Sequence, residues 1–183
     1  LALTFDVASV CIMPYYLKKC SEMLAGSTVK ASTTIGFPHG GHTTQIKVAE
    51  AERAIADGCE ELDMVVNISK VLSGDWDYVQ HDIAAVIKVT HAAGQKIKVI
   101  FENCYLNEKQ KTKLCEICTE LNADWIKTST GYGSGGATHE DLKLMCQNSG
   151  ENVQVKAAGG VRDFDSLLAV REIGVTRCGA SRT

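Results

Sequence analysis

The chain has 183 residues, 45% hydrophobic and 22% charged, which is enough apolar material for one domain with a buried core. Its formal net charge of −3 provides no basic surface of the kind that nucleic-acid-binding proteins use. No apolar run approaches the roughly 18 residues that a membrane-spanning helix needs, so we expect neither nucleic acid nor a membrane as a partner.

Seven short apolar segments along the chain predict β-strands. They span residues 8–13, 30–37, 61–67, 97–103, 125–131, 153–160 and 176–181. The last five each follow a glycine or asparagine, residues that tolerate positive φ and commonly end helices. These residues are Gly58, Gly94, Asn122, Gly150 and Gly174. The sequence therefore predicts a repeated unit in which a helix leads into a strand.

The segments between the strands have helical periodicity, with apolar residues repeating every three or four positions. Two such stripes consist of Val79, Ile83, Val86 and Ile87, and of Leu114, Ile117, Cys118 and Leu121. Thr138, followed three residues later by Asp141, resembles a capping box at the start of a helix. Helices between successive strands force parallel pairing with right-handed crossovers.

A parallel sheet covered by helices is either doubly wound or closed into a barrel. Polar residues stand at the carboxyl ends of several strands, which favours a TIM (β/α)8 barrel with its site on that face. No Gly-x-Gly-x-x-Gly turn opens the first unit, which weakens the dinucleotide-binding alternative. Such a barrel has eight strands. Because the sequence shows seven and begins with leucine, we expect residues 1–183 to be one barrel domain that lacks its first strand.

Two lysines lie inside apolar strand segments that run into glycine-rich loops. Lys127 is in the fifth predicted strand and Lys156 in the sixth, so adjacent parallel strands would direct both into the barrel. A buried lysine must be paired with a carboxylate or act as a neutral amine, and an amine beside a second cation is a nucleophile suited to imine formation. Pairing with Asp63 or Glu102 explains the spacing equally well.

Asp63 lies inside a β-branched strand segment, where a carboxylate needs a partner. A lysine is the obvious partner. Asp63 could shuttle protons beside an imine-forming lysine or form a structural salt bridge, and the sequence leaves both interpretations open.

Glycine-rich loops follow the last three predicted strands, at residues 131–136, 158–160 and 179–181. Barrels bind phosphate with the backbone N–H groups of loops in this position. The three loops together therefore predict a phosphorylated substrate.

The eight cysteines are scattered along the chain rather than paired in a regular framework. Several of them border strand segments, where a small buried thiol is common. We therefore expect reduced cysteines and a cytoplasmic protein.

Six specific motifs follow one another along the chain. They are Val-Cys-Ile-Met-Pro (10–14), Ile-Gly-Phe-Pro-His-Gly (35–40), Glu-Leu-Asp-Met-Val-Val-Asn (61–67), Ile-Lys-Thr-Ser-Thr-Gly (126–131), Lys-Ala-Ala-Gly-Gly-Val-Arg (156–162) and Gly-Ala-Ser (179–181). Together they resemble the deoxyribose-phosphate aldolase family over residues 7–181. The resemblance implies a class I aldolase on a TIM barrel, of which this chain lacks the first strand, the last helix and any C-terminal tail.

The resemblance also implies a reaction, the reversible cleavage of 2-deoxy-D-ribose 5-phosphate to D-glyceraldehyde 3-phosphate and acetaldehyde, without a metal or another cofactor. Lys127 would form the imine, Lys156 would lower the pKa of Lys127, and Asp63 would relay protons with Lys156 and a bound water. The other implied contacts are Cys11, Thr128 and Thr130 beside the sugar, and Gly131, Gly159, Gly160 and Ser181 around the phosphate.

Two departures from the family pattern fall near the predicted phosphate site, since Arg182 follows Ser181 and Tyr132 stands where some members have lysine. One alternative is another class I aldolase that acts on a different sugar phosphate. Another is a non-catalytic barrel that binds a sugar phosphate, although a protein that only binds has no need of a neutral lysine. Barrels of this kind often dimerise, so a homodimer is compatible with the sequence.

Overall fold

A computed structural model describes residues 1–180 of the chain. Its centre is a sheet of seven parallel strands whose spatial order follows their order in the sequence. The strands are β1 (Ser9–Ile12), β2 (Lys30–Ile35), β3 (Glu61–Val65), β4 (Lys96–Ile100), β5 (Trp125–Lys127), β6 (Gln154–Ala158) and β7 (Arg177–Gly179). The seven predicted strands are therefore confirmed, and each is shorter than the apolar segment that predicts it.

The sheet curls as the wall of a TIM barrel does. Glu61 on β3 and Arg177 on β7 are four strands apart, which in a flat sheet corresponds to about 19 Å. Their side chains nevertheless meet, with the Arg177 Nη1 2.6 Å from the Glu61 Oε2. The predicted barrel class of fold is thus confirmed, and the inside of the curl brings distant strands together.

At least one helix lies in each connection between successive strands, and the helices cover the outside of the sheet. They are α1 (Leu17–Leu24), α2 (Thr44–Ala56), α3 (Ile68–Ser73), α4 (Trp76–Ala92), α5 (Glu108–Glu120), α6 (His139–Asn148) and α7 (Phe164–Glu172), with single 3-10 turns at Pro14–Tyr16 and Asn103–Tyr105. Within the described residues, no helix is both long and apolar enough to cross a membrane.

The two predicted apolar stripes lie on α4 and at α5. All four members of the α4 stripe are buried, as are the first three of the α5 stripe, while Leu121 follows the last turn of α5. The Thr138 side chain accepts a hydrogen bond from the backbone N–H of Asp141, so α6 begins at the predicted cap.

β3 illustrates how the two faces of the sheet differ. Alternation along a strand places Leu62 and Met64 on one face and Glu61 and Asp63 on the other. Leu62 and Met64 are fully buried in the apolar core, where each contributes roughly 1.5–3 kcal/mol to stability. The outer face therefore provides the stabilising core, while the inner face carries charge.

The loop from β2 to α2 passes close to the carboxyl end of β3. Gly40 in this loop has a φ of +64°, and a Cβ there would lie 1.7 Å from the carbonyl oxygen of Val66. Only glycine therefore fits at this position. The same loop contains Phe37 and Pro38, which line the cavity over the charged inner face.

Candidate active site

Asp63 is the centre of the charged cluster inside the curled sheet, and its side chain is completely buried. The Nζ of Lys127 lies 2.7 Å from its Oδ2 and the Nζ of Lys98 lies 2.8 Å from its Oδ1. The Nζ of Lys156 is 3.8 Å from Oδ2. The three residues that the sequence nominated, Lys127, Lys156 and Asp63, thus meet, because parallel pairing aligns Asp63 with Lys98 and Lys127 with Lys156.

A second carboxylate, Glu61, lies deeper in the same cluster. It accepts from Lys98 at 2.7 Å and from Arg177 at 2.6 Å. The guanidinium of Arg177 also stacks over the ring of Trp125, 4.5 Å from its centroid. Among the described residues, the cluster therefore contains the four basic side chains of Lys98, Lys127, Lys156 and Arg177 and the two carboxylates of Asp63 and Glu61.

This excess of cations acts on the pKa values of the buried groups. Burial alone would raise the pKa of Asp63, but Lys127, Lys98 and Lys156 outweigh it and hold that pKa well below its usual range. Burial lowers the pKa of Lys156 to about 8, and repulsion from Lys127 and Lys98 adds to this effect against the attraction of Asp63. Lys98 behaves oppositely, because Asp63 and Glu61 overcome its burial and raise its pKa.

A cavity of about 490 Å³ opens above the cluster at the carboxyl ends of the strands. Its volume is in the range of small-molecule sites. The residues around it include Cys11, Lys127, Thr130, Gly131, Lys156 and Gly159. Six of the predicted site residues thus border one cavity, with both nominated lysines presented to it.

Cys11 and Thr128 differ in their relation to this cavity. Cys11 lies at the edge of the sheet, and part of the residue is exposed to solvent. Its thiol is nevertheless desolvated, which raises the pKa of Cys11 and favours the protonated thiol. The Thr128 side chain is fully buried, and its hydroxyl both donates to the Ala158 carbonyl and accepts from the Ala158 N–H, each at 3.1 Å. Thr128 therefore ties β5 to β6, and its expected contact with the sugar stays a prediction.

The glycine-rich loops after β5 and β6 pack directly against each other. A Cβ on Gly136 would lie 2.6 Å from the carbonyl carbon of Gly159. Gly131, Gly159 and Gly160 all have positive φ, which glycine adopts without strain. Of the residues predicted to contact phosphate, Gly131 and Gly159 border the cavity, and Gly160 is the next residue in the chain after Gly159. Ser181 and Arg182 lie outside the described residues.

Residues 1–180 match the sequence model of the DeoC/LacD family of aldolases. The chain belongs to this family. Among its curated relatives, a deoxyribose-phosphate aldolase of Rhodopirellula baltica is 74% identical over the whole chain, which spans 76% of that protein. A deoxyribose-phosphate aldolase of Thermococcus gammatolerans is 48% identical over 98% of the chain and 81% of its own length.

Solved structures of aldolases have the same fold. An aldolase named QR15 superposes with a TM-score of 0.92 at 38% identity, covering 98% of this chain and 80% of its own. A deoxyribose phosphate aldolase from Aeropyrum pernix, whose structure is described as a unique tetramer, superposes with a TM-score of 0.89 at 26% identity. The match covers 98% of this chain and 76% of that one.

Lys98, Glu61 and Arg177 are members of this aldolase's cluster that the motif analysis did not nominate. Lys98 could have been predicted from the sequence, because it lies inside an apolar strand segment as Lys127 and Lys156 do. The pairing of Glu61 with Arg177 could not have been predicted, because the two residues are 116 positions apart and meet only through the curl of the sheet. Glu102, an alternative lysine partner in the sequence, instead accepts hydrogen bonds from Thr130.

Proposed function

We propose that the chain is a deoxyribose-phosphate aldolase of class I, which reversibly cleaves 2-deoxy-D-ribose 5-phosphate through an imine on Lys127. The observation that carries this proposal is the approach of two amines to one buried carboxylate at the floor of the cavity, Lys127 at 2.7 Å and Lys156 at 3.8 Å from Asp63. The high identity to curated deoxyribose-phosphate aldolases supports the choice of substrate.

The reaction begins with attack of the neutral Lys127 amine on the aldehyde carbon of the open-chain sugar. Loss of water then gives a protonated imine, which withdraws electrons from the neighbouring carbon. A base removes the proton of the sugar's C3 hydroxyl, the C2–C3 bond breaks, and its electron pair enters the imine to form an enamine. D-glyceraldehyde 3-phosphate leaves, the enamine is protonated on carbon, and water hydrolyses the resulting imine to acetaldehyde and free Lys127.

The two lysines have different roles in this proposal. With a pKa of about 8, Lys156 is an ammonium in about nine of ten molecules at pH 7, so it is the cation that favours a neutral amine on Lys127. Asp63 accepts from Lys127 and attracts Lys156, which suits it to relay protons between them through a bound water.

The substrate's phosphate binds at the glycine-rich loops in this proposal, with the backbone N–H groups of Gly131, Gly159 and Gly160 as donors and Ser181 as a further contact. The mutual packing of these loops supports a rigid anion site. Thr130 and Cys11 contact the sugar from the cavity wall.

We place the reaction in the cytoplasm, in the degradation of deoxyribose phosphates. All eight cysteines are free, which is the state that a reducing compartment maintains. Dimerisation of the chain remains a proposal that sedimentation analysis would test.

Borohydride trapping tests the imine directly. The full-length gene product is mixed with 2-deoxyribose 5-phosphate, reduced, digested and mapped by mass spectrometry. We expect an adduct on Lys127 that is lost in Lys127→Leu, with Lys113→Leu on the surface as the matched control. An adduct on Lys156 would reverse the two lysine roles, and no adduct on a folded protein would refute the aldolase mechanism.

A further inference from the structure

Glu102 is a buried carboxylate in an unusual backbone conformation, two residues beyond the end of β4. Its φ of 59° and ψ of 61° lie in the left-handed region, which non-glycine residues adopt at a cost. Only 2% of its surface is exposed. A residue that is both strained and charged at such a depth persists only where the surrounding structure requires it.

Both carboxylate oxygens of Glu102 are used by a single residue, Thr130. The backbone N–H of Thr130 donates to Oε1 at 3.1 Å, and the Thr130 hydroxyl donates to Oε2. The loop that carries Thr130 then passes over Glu102, where a Cβ on Gly133 would lie 3.2 Å from the Glu102 Cδ. Glu102 therefore holds the segment that follows Lys127.

These contacts decide what the Thr130 hydroxyl can offer to the cavity that it lines. A hydroxyl has one proton and two lone pairs. The proton is donated to Glu102, and one lone pair accepts from the backbone N–H of Tyr132 at 3.0 Å. One lone pair is left, so Thr130 can act toward a ligand only as a hydrogen-bond acceptor.

We propose that Glu102 is a positioning residue that makes Thr130 an obligate acceptor for a hydroxyl group of the sugar. This inference rests on the proposed function and adds a specificity device to it. A carboxylate cannot donate, so it forces the orientation of the Thr130 proton, whereas a glutamine could donate to Thr130 and release that proton toward the cavity. Substrates with a hydroxyl at this point are favoured over those without one, because the acceptor would otherwise be left unpaired.

The test compares Glu102→Gln, Thr130→Val, the double variant and Thr130→Ser in the full-length protein, with Glu116→Gln on the surface as the matched control. The readouts are kcat/KM for cleavage of 2-deoxyribose 5-phosphate, thermal midpoint, and borohydride trapping of acetaldehyde alone on Lys127. Acetaldehyde has no hydroxyl, so its trapping does not need Thr130.

We expect Glu102→Gln and Thr130→Val each to lower kcat/KM by about 10- to 100-fold, and the double variant to lose no more than the less active single variant. Thr130→Ser keeps the hydroxyl, so it should recover most of the activity that Thr130→Val loses. Acetaldehyde trapping stays at the wild-type level in all of them. If Glu102→Gln does not fold, Glu102→Gly replaces it in the test, because glycine adopts the positive φ without strain. We expect the same loss of kcat/KM in Glu102→Gly.

Cleavage within twofold of wild type in Glu102→Gln or Glu102→Gly would overturn the inference, as would losses that multiply in the double variant. Loss of acetaldehyde trapping in the Glu102 variants would also overturn it, because Glu102 would then act on the lysine chemistry. A wild-type protein that traps no acetaldehyde would instead refute the proposed function, and the inference with it.

Discussion

Buried lysines occur at two places described here, and the balance of positive and negative side chains differs between them. Between α2 and α4, Lys47 and Asp82 are both fully buried and lie 2.5 Å apart. The Thr44 hydroxyl donates to the other oxygen of Asp82 at 2.8 Å, and Lys47 donates to the Val65 carbonyl at 2.9 Å. One cation thus faces one anion, and further hydrogen bonds satisfy both.

The cluster inside the curled sheet has four basic side chains for two carboxylates among residues 1–180. Burial is similar in the two places, since Asp63 and Lys98 are as inaccessible as Asp82 and Lys47. The charges around a buried lysine therefore decide whether its pKa falls. At Lys156 repulsion from Lys127 and Lys98 adds to the effect of burial, whereas at Lys98 two carboxylates overcome it.

Asp63→Asn gives the largest expected effect, because it removes the carboxylate to which three lysines point. We expect kcat for sugar cleavage to fall by about 10²- to 10⁴-fold, the usual range for loss of a proton-transfer group. Steady-state kinetics measure the change, with Asp57→Asn in an exposed ion pair as control. A loss below tenfold would place proton transfer elsewhere.

Asp82→Ala tests the balanced pair. Removing one partner leaves the Lys47 ammonium buried without a counter-charge, so we expect the free energy of unfolding to drop by about 3–5 kcal/mol. Urea unfolding measures this drop, and activity per folded molecule should stay at the wild-type level. The double variant Lys47→Met/Asp82→Leu removes both charges and should recover most of the stability. A chemical role for the pair would appear as lost activity in this double variant.

The lowered pKa of Lys156 predicts a stability change with pH. Between its folded pKa of about 8 and the free value of ~10.4, the unfolded chain binds one more proton, so the free energy of unfolding rises with pH across this window. Below about pH 8 both states are protonated and the destabilisation is fully present. Relative to Lys156→Met, the wild type should gain about 2 kcal/mol on going from about pH 8 to about pH 10.

The same titration predicts the alkaline side of the activity profile. If the Lys156 ammonium is the activating cation, kcat/KM should fall above about pH 8, where its proton is lost. A rise in kcat/KM through this range would assign the neutral amine to Lys156 and reverse the roles of the two lysines.

Lys98→Met gives the smallest expected effect. Asp63 keeps Lys127 and Lys156, and Glu61 keeps Arg177, so neither carboxylate is left alone. Burial is the main cause of the low Lys156 pKa, and Lys98 adds repulsion to it. Removing that repulsion should move the alkaline limb of the activity profile upward by less than about one pH unit. A shift of the alkaline limb to lower pH would contradict the claim that Lys98 lowers the pKa of Lys156 by repulsion.

The sequence predicted the strands because local patterns define them, and it predicted a shared site for Asp63, Lys127 and Lys156 because a parallel barrel directs the carboxyl ends of its strands to one face. Apolar runs bounded by glycine define strands, and parallel pairing then aligns their carboxyl ends. The partners of those residues depend on register and curl, which no local pattern encodes. Arg177 reaches Glu61 only across the interior, and the Thr128 hydroxyl turns to the Ala158 backbone, so neither contact could be predicted from spacing.

Trp125 gives the charged cluster an optical probe. Its indole lies under the Arg177 guanidinium and 5.7 Å from the Lys98 ammonium, and the chain's other tryptophan, Trp76, begins α4. Indole emission responds to nearby charge, so proton loss or covalent capture of an amine in the cluster should change the fluorescence of Trp125. With Trp76 replaced by phenylalanine, a stopped-flow fluorimeter could follow each turnover without a dye or a coupled enzyme.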